Sequence, residues 1–345
     1  MSMDIQTALG RISEKQDLST EEMVAVMRQI MSAGATDVQI GAFLLGLRIK
    51  GETIDEITGG VQVLREFASG VQVSGPHLVD IVGTGGDGAN LFNVSTAACF
   101  VVAAAGGRVA KHGNRSVSSS SGSADVLEAA GVRLDISPDQ VTQCVNELGV
   151  GFMFALMHHS AMRHVTVARN ELGLRTLFNI LGPMANPAGL TRQLIGVYDR
   201  ALCRPVAEVL QRLGSEHVMV VQSDDGLDEI SLAADTYVAE LCNGEIKEYL
   251  LQPEQFGFAR ESLQDLVVDG VEASLQLLSA ALAGDKDERA QRAARLIALN
   301  AGAALYVAGV VNSIKEGVEL ANEKLASGAA LEKLHQLATM TQSFA

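Results

Sequence analysis

The chain has 345 residues, 48% of them apolar and 19% charged, so it can bury a large core and is not expected to be disordered. That length predicts two domains, or one large α/β unit with an appendage. The formal net charge of −15 argues against a general nucleic-acid binder, because phosphate backbones are held mainly through counterion release to Lys and Arg. Small anions remain admissible, since converging backbone amides and a metal ion outweigh distant, screened carboxylates.

The amino terminus, residues 1–11, has no basic stretch leading into an apolar run, so no signal peptide is expected. The most apolar stretch, Ala97 to Ala105, is far shorter than the ~20 residues that span a bilayer. Cys99, Cys144, Cys203 and Cys242 are widely spaced and read as buried thiols of a reducing compartment. A soluble, cytoplasmic protein without membrane or nucleic-acid partners is the expectation.

Three capping boxes open the chain: Ser19 with Glu22, Thr36 with Gln39, and Thr53 with Glu56. Each predicts a helix start. Met23, Met27, Ile30 and Met31 follow at helical spacing with Gly34 as the stop, a second helix ends near Gly51, and a third runs through Ile57 and Val61 towards Phe67. Residues 1–70 are therefore predicted to form a small helical domain. Val71 to Pro76 lacks helical periodicity and reads as a linker.

From residue 76 onward, short apolar runs alternate with helical patterns, the signature of βα units around a mainly parallel sheet. Strands are predicted at Leu78 to Val82, Arg108 to Lys111, Val150 to Ala155, Gln193 to Val197 and His217 to Val221. Helices are predicted at Val94 to Ala105, Ser123 to Ala130, after Ser137-Pro138, and over the alanine-rich tail from Arg292 to Val310, which reads as packing.

Gly83-Thr84-Gly85-Gly86-Asp87-Gly88 follows a predicted strand and precedes a helix opening with Asn93-Val94-Ser95-Thr96. Glycines let the backbone approach a ligand with its amides inward, and the helix start adds positive potential, an arrangement suited to phosphate or pyrophosphate. An ordinary βα turn reads the same way. The G-x-G-x-x-G spacing of a dinucleotide site lacks its acidic partner about 20 residues on, and a Walker loop lacks its Lys.

Lys111 to Asp125 begins where the next strand should end. In open α/β sheets ligands gather at the carboxyl ends of strands, so this loop and the glycine turn should face one cleft. Lys111 and Arg115 would balance a polyanion, while Ser118, Ser119 and Ser123 supply neutral donors and His112 and Asn114 suit a planar polar substrate. A surface loop is the bland alternative. The central segment carries His158, His159, Arg163, His164, Arg169 and Arg175, then Gly182-Pro183, predicted as a rigid turn able to flank an aromatic ring. An arginine fork suits a carboxylate, although these groups read equally well as structural. Asp228 and Glu229, in an acidic loop after the His217 strand, are hard-oxygen candidates for Mg2+ or simply a solvated turn.

In this order, Gly83 to Gly88, Asn93 to Thr96, Lys111 to Arg115, Ser121 to Asp125, Arg169 with Gly173 to Pro183, and Asp228-Glu229 resemble the anthranilate phosphoribosyltransferase family over most of the chain. The resemblance implies a nucleoside phosphorylase-like phosphoribosyltransferase fold: a helical domain over residues 1–70, completed by helices from about 158–190, and an α/β domain over 76–345. It implies a homodimer acting in tryptophan biosynthesis, with Mg2+ as cofactor and phosphoribosyl pyrophosphate (PRPP) and anthranilate as substrates. Gly83, Gly86, Asp87, Asn93, Val94, Ser95, Thr96, Lys111, Ser118, Ser119 and Ser123 match PRPP contacts. Ser95, Asp228 and Glu229 match metal ligands. Gly83, Asn114 and Arg169 match anthranilate contacts, with His112 and Pro183 nearby, and His112, Asn114 and Arg169 are the catalytic candidates. Leu91 and Ser120 depart from the family pattern, so two PRPP contacts are expected to be missing. Two rivals are a nucleoside phosphorylase of related fold and an inactive ligand-sensing relative.

Overall fold

The computed structural model describes residues 3–116 and 121–344. Helices α1 (Ile5–Ser13), α2 (Thr20–Met31), α3 (Asp37–Lys50) and α4 (Ile54–Glu66) open the chain. The three expected capping boxes are all formed, each with its side chain accepting from the third helical amide and the reciprocal bond in place. Glu56 is more than a cap. Fully buried, it also accepts from the Leu18 amide at 3.0 Å and pairs with Lys50 at 2.9 Å, joining three segments of the bundle. Helix α2 stops earlier than Gly34 suggested: the left-handed position falls on Ala33 at φ 60°, while the Gly34 amide reaches back to the Gln29 carbonyl at 2.8 Å.

The remainder alternates strand and helix: β1 (Leu78–Gly83), α5 (Val94–Ala104), β2 (Arg108–Gly113), α6 (Ser123–Ala129), α7 (Pro138–Leu148), β3 (Val150–Phe154), α8 (Ala155–His158), α9 (Arg163–Leu172), α10 (Leu177–Met184), β4 (Arg192–Gly196), α11 (Cys203–Arg212) and β5 (His217–Ser223). A hairpin of β6 (Thr236–Cys242) and β7 (Glu245–Leu251) follows, then α12 (Val271–Leu282), α13 (Glu288–Ala308), α14 (Ile314–Ala326) and α15 (Ala329–Ser343). The seven strands are ordered β3-β2-β1-β4-β5-β6-β7. The first five pair in parallel, and β6 and β7 continue the sheet with antiparallel pairing.

Strand alternation divides the core. Leu194, Met219 and Val221 face a cluster built from α5, α7 and α12 to α15, whereas Ile195, Val218 and Val220 face one built from α11, α10, α9 and the amino-terminal helices. Each such fully buried aliphatic side chain contributes about 1.5–3 kcal/mol. Helices α9 and α10 thus share one apolar core with α1 to α4, although some hundred residues of chain separate them. The expected turn at Gly182-Pro183 is instead the last turn of α10, where Pro183 is buried and its carbonyl accepts from Gln193 Nε2 at 3.0 Å. The chain turns just afterwards, at Asn186, whose side chain accepts from the Ala188 amide at 2.8 Å. Among the described residues no helix is long and apolar enough to cross a membrane.

Candidate active site

Strands β1 and β4 are neighbours although β2 and β3 intervene in the chain, which makes their carboxyl ends the switch point of the sheet. Gly83 and Gly196 face each other there in register. A Cβ on Gly83 would lie 2.4 Å from Asp228 Oδ2, and one on Gly196 would lie 1.6 Å from the Asp228 carbonyl oxygen. Two glycines therefore let the loop after β5 cross the switch point. Asp228 Oδ2 accepts from the Gly85 amide at 2.7 Å, and Glu229 Oε1 accepts from the Ser95 amide at 3.2 Å. One acidic loop thereby joins the glycine turn to the start of α5, where Asn93 itself makes no side-chain cap.

The loop is firmly supported. Ser223 Oγ donates to the Glu229 carbonyl at 2.7 Å, and the Asn300 carboxamide brackets Ile230, accepting from its amide at 2.9 Å and donating to its carbonyl at 3.0 Å. Asn300 escaped the sequence reading because α13 looked like pure packing; its signal was a single amide side chain within Leu299-Asn300-Ala301. Burial, then the charge of Asp87, raises Asp228 to about 6. Glu229 is raised well above the usual carboxylate range by burial, then by Asp228. Two half-buried carboxylates that repel each other, made wholly of hard oxygen, fit a divalent cation such as Mg2+. Lys111 is buried beside them, its Nζ donating to the Ile81 carbonyl at 2.5 Å and to Ser95 Oγ at 3.3 Å.

On β2 the His112 amide donates to Asp80 Oδ1 at 3.3 Å, and Asn186 Nδ2 donates to Asp80 Oδ2 at 2.7 Å. Burial raises Asp80 to about 6 despite Lys111 and these bonds. The buried His112 Nε2 has no hydrogen-bond partner among the described residues, nor has His159 Nε2, and the two rings lie 5.0 Å apart. Burial, then His159 and His158, depresses His112 well below its ordinary value, so the ring is neutral at pH 7. Asp125 Oδ2 accepts from both Ser116 and Gly122 amides at 3.0 Å, holding the two sides of the serine loop. Arg115 is engaged within the protein, paired with Asp125 at 2.9 Å and Glu128 at 2.7 Å. Asn114 Oδ1 accepts from the Arg115 amide at 2.8 Å, and its carbonyl accepts from Ser123 Oγ at 3.4 Å. Asn93 Oδ1 accepts from Ser121 Oγ at 2.8 Å and Ser274 Oγ at 2.7 Å, so this amide is a tie between α5 and α12. Val94 is buried, and the buried Thr96 Oγ1 has no partner among the described residues. Ser118, Ser119 and Ser120 lie outside the described residues. Leu91 bridges to Val267.

Arg169, half-buried on α9, lies over the Phe178 ring at 5.5 Å, and no carboxylate pairs with it among the described residues. Burial lowers its affinity for a proton. Arg175, in the next loop, stacks on Tyr198 at 4.1 Å and donates to the Gly86 carbonyl, while Arg48 of α3 donates to the Arg175 carbonyl. The sequence reading left Arg175 without a role.

This fold, with a glycine turn and an acidic loop meeting at its switch point, is that of a glycosyl transferase. The helical bundle domain of that family matches residues 6–68, and its a/b domain matches residues 75–331. An anthranilate phosphoribosyltransferase of Marinobacter nauticus is 62% identical over 342 residues, covering 99% of this chain and 100% of its own. The crystal structure of the Thermus thermophilus enzyme of that name superposes with a TM-score of 0.91 at 42% identity, covering 97% of this chain and 99% of the other. The Saccharomyces cerevisiae enzyme, in complex with PRPP and Mg, gives 0.89 at 26% identity, covering 99% and 98%. The chain belongs to the anthranilate phosphoribosyltransferase family.

Proposed function

We propose that the cleft at the β1–β4 switch point transfers the phosphoribosyl group of PRPP to the amine of anthranilate, releasing pyrophosphate in a step of tryptophan biosynthesis. The observation that carries this reading is the acidic loop, which presents Asp228 and Glu229 between the glycine turn and the first amides of α5. Gly83, Gly86 and Asp87 and the helix start at Asn93, Val94, Ser95 and Thr96 receive the phosphates. Lys111, Ser118, Ser119 and Ser123 complete that subsite. Ser95, Asp228 and Glu229 hold Mg2+, which supplies positive charge beside the leaving diphosphate.

The bond between the ribose carbon and pyrophosphate breaks as the amine forms its own bond there, so charge grows on the leaving group while the sugar turns cationic. Fixed amide dipoles meet that charge without reorganising. Arg169, with no carboxylate partner among the described residues, orients the carboxylate of anthranilate, with Gly83, Asn114 and Pro183 alongside. Proton removal from the amine falls to the carboxylate of anthranilate or to His112, whose Nε2 has no hydrogen-bond partner among the described residues and whose burial weakens it as a base. We further propose that the chain divides near residues 70–76 and works in the cytoplasm as a homodimer. The exposed apolar stripe of Val38, Leu45 and Ile49 on α3 favours the dimer.

The deciding experiment mixes the protein with anthranilate, PRPP and Mg2+ and follows anthranilate fluorescence. Fluorescence falls as pyrophosphate appears, and Arg169→Ala raises KM for anthranilate far more than for PRPP. Equal rises in both would take Arg169 away from the aromatic acid. Unchanged fluorescence together with phosphate-dependent cleavage of a nucleoside would transfer the reading to a phosphorylase.

A further inference from the structure

At the opposite end of β5 lies a group of side chains that the transfer reaction does not use. His217 opens β5 and stands opposite Cys242 in antiparallel register, and Glu240 is two residues earlier on β6, so the pleat turns all three to one face. An imidazole nitrogen, a carboxylate oxygen and the thiol sulfur lie within 4.8 Å of one another. His217 Nε2 and Glu240 Oε1 are 2.8 Å apart, and the Tyr249 hydroxyl donates to Glu240 Oε2 at 2.8 Å. Tyr306 of α13 meets the His217 ring edge-on at 4.8 Å. His217 and Glu240 are buried while Cys242 is partly open to solvent. At about 3.3 Å per residue, six residues of β5 place this group roughly 20 Å from the catalytic edge at Ser223.

We propose that His217, Glu240 and Cys242 form a second metal site, of the class taken by Zn2+, separate from the hard-oxygen pair at Asp228 and Glu229. A thiolate, an imidazole and a carboxylate make a borderline-soft donor set that suits Zn2+ or Co2+ and disfavours Mg2+. On binding, the metal replaces the Nε2–H to Glu240 hydrogen bond: the Nε2 proton shifts to Nδ1 or leaves to solvent, the freed Nε2 lone pair and a Glu240 oxygen ligate, and the Cys242 thiol releases its proton to solvent. Tyr249 holds the second oxygen of Glu240 as an outer-shell partner. The solvent side of Cys242 leaves the fourth position for water. Such a metal ties the start of β5 to the end of β6 and serves stability, not transfer.

The test titrates the chelator-stripped full chain with Co2+. A thiolate-to-cobalt charge-transfer band should grow to one equivalent per chain, be displaced by Zn2+, and persist in the Asp228→Asn, Glu229→Gln double variant. It should vanish in Cys242→Ser and need roughly 10–100-fold more Co2+ in Tyr249→Phe. A parallel measurement needs no variant: Zn2+ should protect Cys242 of the wild-type chain from alkylation, read by mass spectrometry. Absence of the band, its survival in Cys242→Ser, its loss in the double variant, or unchanged alkylation of Cys242 would each overturn the site.

Discussion

Gly196 shows how little room the switch point leaves. A methyl group there would meet the Asp228 carbonyl at 1.6 Å, and that atom belongs to a backbone clamped by Ser223 and Asn300. Gly196→Ala is expected to cost about 1–3 kcal/mol through forced displacement, measured by urea unfolding, and to weaken Mg2+-dependent PRPP binding measured by calorimetry. Unaltered Mg2+ dependence would show that the loop position is not critical. Asp80 offers a pH test away from the acidic loop. Its folded value of about 6 exceeds the ordinary 3.8, so the folded state binds the proton more tightly than the unfolded chain does. Stability from this group is then greatest below about pH 4, declines as pH rises towards 6, and is level above. In Asp80→Asn that component is absent. The stability difference between the two proteins should therefore move against the wild type between those pH values; a difference constant with pH would contradict the raised value.

Helices that open with a capping box are legible because those ends are written locally, whereas α11, α12, α14 and α15 were not expected. Each capping box needs only a hydroxyl and an acid or amide three residues later, and the boxes at Ser19, Thr36 and Thr53 form as read. The end of α2 was misplaced since the left-handed residue is Ala33, an uncommon occupant whose Cβ strains that conformation. Ala33→Gly should stabilise the chain by about 0.5–1 kcal/mol, the relieved strain less the entropy of an added glycine; a lowered Tm would refute this. The β6–β7 hairpin was overlooked despite a clear signal. Asn243 and Gly244 adopt φ 51° and 79°, the pair of positive angles a two-residue hairpin turn requires. Helix α5 carries no cap of its own, and Glu229, 134 residues away, accepts its Ser95 amide.

Across the molecule, the helical core and the sheet meet at the cleft through Arg175. Its guanidinium stacks on Tyr198 and bonds the Gly86 carbonyl, while Arg48 of α3 holds its backbone. Fixing that carbonyl holds the glycine turn in place beside Asp228. Arg175→Ala should raise KM for PRPP roughly tenfold, the worth of one hydrogen bond near 1.4 kcal/mol, with a smaller change in kcat, and Arg175→Lys should recover part of it. An effect on kcat alone would assign Arg175 to a different step. Asn186 is a comparable case: remote in sequence, it joins α10 to β1 and β2 through Asp80 and the Ala110 carbonyl.

Patterns of a few residues announced the glycine turn, the acidic pair, the capped helices and the alternation of strand and helix, because turn chemistry, capping and periodicity are properties of neighbours along the chain. Which of those segments share a cleft was not written there. The meeting of Gly83, Gly196 and Asp228, the pairing of Lys111 with Ser95, the engagement of Arg115 by Asp125 and Glu128, and the bracket of Asn300 around Ile230 all join residues brought together by strand order and helix packing. Burial then sets the charges: it raises Asp80, Asp228 and Glu229 and keeps His112 neutral, and burial is a property of the packed core and not of any short run of sequence.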